Sequence, residues 1–312
     1  MTVLFAGDIG MDTTLSVGHV PDADEKVVAD AAADHAGGVV ANAAYAALLA
    51  GAASRLVCAV GEDAAGRDAV AQLRAAGVEV AAAPVAGPTC RALILVDAAG
   101  EKRLVLVPGA TMYPPADAVR AARPAAASWV HTAAYDLPGA AALAAACRAA
   151  RVPWSVDLEP ATLPADRASL APVLAGAAAV LCNRRAAEAL GGDAADWLIG
   201  LGVRTVLLTL GADGVRAVGP SSALDVRPPA GAPRAVDTTG AGDCLAGWFA
   251  ARTAAGDGLA QALAEAVTAA TLSCARPGAQ TSYPARADVL ASGLVPPHTA
   301  GATPPPTRRG TP

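Results

Sequence analysis

Short apolar runs and alanine-rich stretches alternate along this chain. The runs "TVLFAG", "RLVCAVG", "ALILVDA", "RLVLVPG", "ASWVHTA", "VPWSVDL", "AVLCNR" and "TVLLTLG" are rich in Val and Leu and only a few residues long. That length and composition predicts buried strands. Helices are predicted over Asn42–Gly51, Ala64–Ala76, Pro138–Ala150, Arg184–Leu190, Ala194–Leu201, Asp243–Ala255 and Leu259–Cys274. From about Ser128 onward strand and helix alternate regularly, so the fold class is α/β with a mostly parallel sheet covered by helices. Ligands of such sheets sit in the crevice beyond the carboxyl ends of the strands.

Two stretches break the alternation. Residues from about Met11 to Ala36 have no helical periodicity, and Thr89–Gly109 reads as two strands around a tight Asp97–Gly100 turn. Together they predict a small β-sheet outside the main one. The last residues, "VPPHTAGATPPPTRRGTP", are rich in Pro, Thr and Gly and are expected to be disordered.

Composition narrows the function classes. Apolar residues make up 54% of the 312, but aromatics only 3%, so the core is built from Ala, Leu and Val. The longest apolar run, Val39–Ala53, contains Asn42 and is too short to span a bilayer. With no signal-like opening, a soluble cytoplasmic protein is expected. The net charge of −5 and the absence of a basic run before the last residues argue against nucleic acid as a partner. The six cysteines are scattered without C-x-x-C or zinc spacing and read as reduced, buried small side chains.

Against this background some motifs carry chemistry. In "DTTGAGD", Asp237–Asp243, glycines precede an apolar helix. Free N–H groups and the positive helix end suit a phosphate or a developing anion. Asp243 beside them reads either as an ordinary N-cap or as a general base taking a proton from an attacking hydroxyl. In "HAGGVVAN", His35–Asn42, the Gly pair allows close backbone approach, and Asn42 offers a donor and an acceptor to sugar hydroxyls. The other reading is a tightly packed helix start. Asp12, in "GDIGMD" after the first strand, is either a hydroxyl acceptor at the sheet's carboxyl edge or a loop cap. "LLTLGADGV" could hold nucleotide phosphates through Thr209 and Gly211, or be a plain hairpin.

Taken in order, "FAGDIGMD", "HAGGVVANAA", "AVGEDAAGR", "VPGA", "LLTLGADGV", "DTTGAGDCLAGWFAA" and "RPGAQTSYP" make the chain resemble the ribokinase or PfkB carbohydrate-kinase family over almost its whole length. The resemblance implies one doubly wound ribokinase-like domain over residues 1–295. A β-lid would come from about 11–36 and 88–112, and 296–312 would be a tail. It implies ATP-dependent phosphorylation of a sugar hydroxyl, with Asp243 as base and the N–H groups of Gly240, Ala241 and Gly242 as anion hole. Asp12, Gly38 and Asn42 would bind the acceptor, and Asn183, Thr209, Gly211 and Gly214 would lie along ATP. Mg²⁺ would bridge phosphate oxygens mostly through water. K⁺ would use Asp237, Thr239, Ser273, Arg276, Gly278 and Ser282, largely through their backbone carbonyls. The family's lid commonly pairs with a second lid, implying a homodimer.

Two departures from the family pattern matter. Many members carry Asn-x-x-Glu near the phosphates, whereas Ala186 stands at the Glu position in "NRRAAE", with Glu188 turned about 200° away on the helix. Ribokinases proper carry "GGKGAN", whereas this chain has "GGVVAN", with Val39 at the Lys position. A free sugar is the first expectation for the acceptor. A nucleoside, a sugar phosphate held by Arg91 or Lys102–Arg103, and a catalytically weak ligand-binding member of the fold are the alternatives. Arg91 and Lys102–Arg103 read equally as edge-strand charges. A dinucleotide oxidoreductase is excluded because no G-x-G-x-x-G follows the first strand.

Overall fold

A computed structural model describes residues 1–98, 101–109 and 112–295. The Pro-rich tail and the tip of the Asp97–Gly100 turn lie outside the described residues. The first half of the chain runs β1 (Thr2–Ala6), β2 (Gly10–Val17), β3 (Ala29–Gly37), α1 (Val39–Leu49), β4 (Ala53–Gly61), α2 (Ala64–Ala76), β5 (Glu79–Val85), β6 (Cys90–Val96) and β7 (Lys102–Val107). Then follow α3 (Ala116–Ala121), β8 (Trp129–Ala133), α4 (Leu137–Ala150), β9 (Trp154–Leu158), α5 (Ala171–Leu174), β10 (Ala179–Asn183), α6 (Arg184–Leu190) and α7 (Ala194–Gly200). The last part holds β11 (Val206–Thr209), β12 (Val215–Val218), β13 (Ala223–Val226), α8 (Ala241–Ala254), α9 (Leu259–Ser273) and α10 (Arg286–Ala291).

Nine strands form one sheet in the order β13-β12-β11-β10-β9-β8-β1-β4-β5. From β5 to β11 every neighbour is parallel; β12 and β13 close the far edge antiparallel. β1 shows why the parallel strands read as unbroken apolar runs. Val3 and Phe5 join one buried layer while Leu4 and Ala6 join the other. The first layer packs under α1, α2, α8 and α9, and the second under α3 to α7.

The stretches without helical periodicity form a second sheet, β3-β2-β6-β7, in which β2 and β6 are parallel and the outer pairs antiparallel. Alternation along β2 turns Asp12, Thr14 and Ser16 to one face, where they line a cavity. Asp63 fastens the base of this sheet. It caps α2 through the N–H of Gly66 at 2.9 Å and accepts from the Thr89 hydroxyl at 2.6 Å and the Thr89 N–H at 3.1 Å. The Thr89 hydroxyl, before the two N–H groups, holds its carboxyl down at about 2.

α1 and α8 are both alanine-rich and cross at unusually short range. A Cβ on Gly247 would overlap the carbonyl of Ala43 and crowd Ala46 and Ala47. α8 is buried continuously from Cys244 to Ala251, and one face lies on α1 while another lies on α9. Gly247 stands one helical turn beyond Asp243, so this close crossing sets where Asp243 meets α1.

Gly247→Ala tests the crossing. Overpacking of this kind costs about 1–3 kcal/mol. The variant should unfold at lower denaturant concentration than wild type, with an unchanged slope in a urea titration.

Candidate active site

The site is built where β1, α1 and α8 come together at the carboxyl edge of the sheet. α1 begins at Val39 rather than Asn42, and its N-terminus is satisfied from a distance. The carboxylate of Asp8 accepts the N–H of Val39 at 2.8 Å and of Val40 at 3.0 Å. Gly38, at φ 104°, makes room for this contact, since a Cβ there would press on Asp8 and on Ile9. Gly37 plays the same part for Asp12, whose carboxyl group fills the space of the missing side chain. The Gly pair therefore admits two of the protein's own carboxylates. Asp8 was not singled out by the sequence, although it stands four residues before Asp12.

α8 starts differently. Its N-cap is Gly240, at φ 70°, and no side chain caps it. Gly242 is exposed, and in any helix the N–H groups of the first turn lack intrahelical partners. The N–H of Ala241 reaches the carbonyl of Thr238 at 3.3 Å, a long bond. The hydroxyl of Tyr283 donates to the carbonyl of Gly240 at 2.7 Å and fixes the turn from behind.

Asp243 is thus not the N-cap. It sits in the first turn of α8, and its Oδ2 accepts from the Nδ2 of buried Asn42 at 2.8 Å. The Oδ1 of Asn42 in turn accepts from Gln280 at 2.9 Å. Gln280 carried no signal in the sequence. Burial raises the Asp243 carboxyl well above the usual range; the Asn42 bond works against this, and Asp157, Glu159 and Asp8 add to the rise.

Those carboxylates form an acidic corner. Asp157 on β9 is pushed up to about 8 by burial and then by Glu159. Burial also raises Glu159, and lifts Asp8 and Asp12 to about 6 each. Among the described residues no Lys or Arg forms an ion pair with Asp8, Asp157, Glu159 or Asp243. Leu158 pairs with Cys182, so the parallel register carries Glu159 next to Asn183. Neither Asp157 nor Glu159 was read as a site residue, because each looks like the polar end of a buried strand.

Asn183 ends β10 and caps α6, its Oδ1 accepting the N–H of Ala186 at 2.9 Å. Ala186 itself is fully buried and Glu188 is exposed. "LLTLGADGV" is the β11–β12 hairpin. Thr209 ends β11 beside Asn183, and Gly211, at φ 62°, is exposed with open space around its Cα. Gly214 is different: it is buried, and a Cβ would overlap the carbonyl of Val226. Packing alone therefore requires glycine there.

The turn before α8 is sewn to the segment after α9. Asp237 accepts the N–H of Thr239 at 2.8 Å and of Gly278 at 2.7 Å. The N–H groups of Val236 and Asp237 both reach the carbonyl of Cys274. The hydroxyls of Ser273 and Ser282 donate to the carbonyls of Ala270 and Ala279, each at 2.8 Å, and Arg276 is exposed. Between these turns and the β3-β2-β6-β7 sheet lies a cavity of about 270 Å³, lined among others by Asp12, Thr14, His35, Lys102, Asp237 and Gln280. Lys102 does not stand out as an edge charge. Its ammonium points inward and donates to Asp237 and to the Thr239 hydroxyl.

The family model for the pfkB family carbohydrate kinase matches residues 3–286. The chain is 30% identical over 269 residues to a ribokinase of Mus musculus, covering 81% of this chain and 82% of that one. It is also 30% identical over 295 residues to an ATP-dependent ribose-1-phosphate kinase of Halopiger xanaduensis, covering 94% and 97%. Among solved structures, a ribokinase of Thermotoga maritima superimposes with a TM-score of 0.79 at 26% identity, over 93% of this chain and 97% of that one. The chain belongs to the pfkB family of carbohydrate kinases and is an ATP-dependent sugar kinase.

Proposed function

We propose that the protein phosphorylates a hydroxyl of ribose or a ribose-like sugar, with Asp243 as the general base. The observation that carries this reading is the Asn42–Asp243 hydrogen bond at an uncapped helix start. Asn42 holds one oxygen of the carboxylate and leaves the other free to take a proton. The raised affinity of Asp243 for a proton suits that task. Beside it, the N–H groups of Gly240, Ala241 and Gly242 and the positive end of α8 stabilise charge on the transferring group. For Ala241 this requires letting go of the Thr238 carbonyl.

The acceptor would lie in the cavity under the small sheet, which acts as a lid. Asp12 on β2 and Asn42 on α1 would hold its hydroxyls, and Gly38 would keep the backbone close. Ribose is favoured because both curated relatives act on ribose or its phosphate by name. ATP would lie across the ends of β10 and β11, against Asn183, Thr209 and the open backbone at Gly211. Gly214 supports that hairpin by packing.

Mg²⁺ would sit beside Asp157 and Glu159, two raised carboxylates without an ion pair among the described residues. Bound there, it supplies charge neutralisation for phosphate oxygens. Asp157 and Glu159 are the residues that would hold its water shell, in place of the Glu that Ala186 replaces.

The lid also supports a homodimer. Its outer strand β7 exposes Leu104 and Val105 at 59% each, with Leu106 and Val107 beside them. An open, apolar edge strand is a template for pairing with a second copy.

ADP release from MgATP across a panel of pentoses, hexoses, nucleosides and sugar phosphates tests the activity. Ribose or ribose 1-phosphate should give the strongest signal, and silence with every acceptor would overturn the reading. Asp243→Asn should keep its fold and lose about 10²–10⁴-fold in turnover, the contribution of a general base. Because only the deprotonated carboxylate accepts a proton, wild-type turnover should rise with pH through an acid limb above the ordinary Asp range of about 4. Val105→Asp should shift the protein to the monomer volume in size-exclusion chromatography, with its melting temperature little changed.

A further inference from the structure

Lys102 opens β7, on the outer edge of the lid. Along that strand Leu104 to Val107 are exposed. Lys102 alone turns across the cavity, reaching a carboxylate 135 residues away in sequence. Its ammonium meets Asp237 and the hydroxyl of Thr239, and its side chain is 29% exposed while that of Asp237 is 9% exposed.

Asp237 is the point where three elements meet. One oxygen takes Lys102 from the lid and the N–H of Thr239 from the turn before α8. The other takes the N–H of Gly278 from the turn after α9. The resemblance to ribokinases placed a monovalent cation among Asp237, Thr239, Ser273, Arg276, Gly278 and Ser282. The side-chain donors here do not fit one, whatever backbone carbonyls lie around them. Asp237 has both oxygens in use, the Thr239 hydroxyl accepts from an ammonium, and the Ser273 and Ser282 hydroxyls donate to backbone carbonyls. A free K⁺ on these groups would lie against the positive charge of Lys102.

We infer that Lys102 is the protein's built-in monovalent cation, and that its ammonium on Asp237 and Thr239 replaces K⁺ while tying the lid to the anion-hole turn. An ammonium resembles K⁺ in charge and size but is tethered. It reaches the turn only when the lid lies over the cavity. Lid closure and the charging of the turn before Gly240 are therefore one event, and Lys102 is a positioning residue. The link to turnover rests on the kinase reading above; the cation site itself does not.

The test compares full-length wild type with Lys102→Met and Lys102→Arg in KCl, NaCl and choline chloride at equal ionic strength. Melting temperature and tryptic cleavage within the lid are read without substrate, and turnover is read with MgATP and the best acceptor. Wild type should melt and turn over alike in all three salts. Lys102→Met should expose the lid to trypsin and lose about 5- to 150-fold in turnover, the usual span of coupling between sites. Part of that loss should return in K⁺ but not in choline, together with a K⁺-specific rise in melting temperature. Lys102→Arg should stay indifferent to K⁺. A K⁺-specific rise in the melting temperature or turnover of wild type would overturn the inference, as would a Lys102→Met protein matching wild type in every salt. If no acceptor supports ADP release, the melting and cleavage readings still decide the question of the cation.

Discussion

The close crossing of α1 and α8 is the constraint on which the site depends. Where Gly247 meets the Ala43 carbonyl, there is no side chain to act as a spacer. Two helices held at backbone range can join short side chains across the gap, and Asn42 and Asp243 do so one turn away. Both side chains are short with few rotamers, so the carboxylate is fixed at low entropic cost. Alanine-rich helices serve this purpose well. The abundance of alanine, which inflates the apolar content of the chain, is what lets these helices approach.

Electrostatics around the site divides into two unlike halves. On the side of β9 and α8, carboxylates crowd one another without an ion pair among the described residues, and their proton affinities rise. On the side of the lid, Asp237 is compensated three times. Burial alone would raise it, but Lys102, the Gly278 N–H and Thr239 together hold it below the ordinary range. The first half is rich in negative charge, and the second is balanced within the chain. A single net charge of −5 conceals this division.

Much of the fold was legible in the sequence. Unbroken Val/Leu runs mark strands buried on both faces, and the predicted helices fall within a few residues of those observed. The starts of α1 and α4 came a little early, because capping by Asp8 and Asp136 decides them. β5 and β13 escaped notice: they are edge strands with Pro or Asp among short apolar residues, and only pairing with a neighbour makes them strands. Of the site, the glycines and Asp243 were visible because their local chemistry is unusual for a core. Asp8, Asp157, Gln280 and the inward turn of Lys102 were not. Asp8, Gln280 and Lys102 act through contacts between residues far apart in the chain, and local patterning carries no trace of such contacts. Asn42 was legible as a hydrogen-bonding group, but its partner 201 residues away was not.

The carboxylate of Asp8 has a further consequence. Two helices begin beside the same crevice, and each brings a partial positive charge to its start. At α1 that charge is answered permanently by a group belonging to the chain. At α8 it is left open. The crevice therefore has two berths for an anion, of which one is already taken. On the proposed reading, a triphosphate arriving there would have a single polarity to follow, with its reactive end drawn to α8 and away from α1. Asp8 would then work as a stopper, giving direction to a pocket that two equivalent helix ends would have left ambiguous.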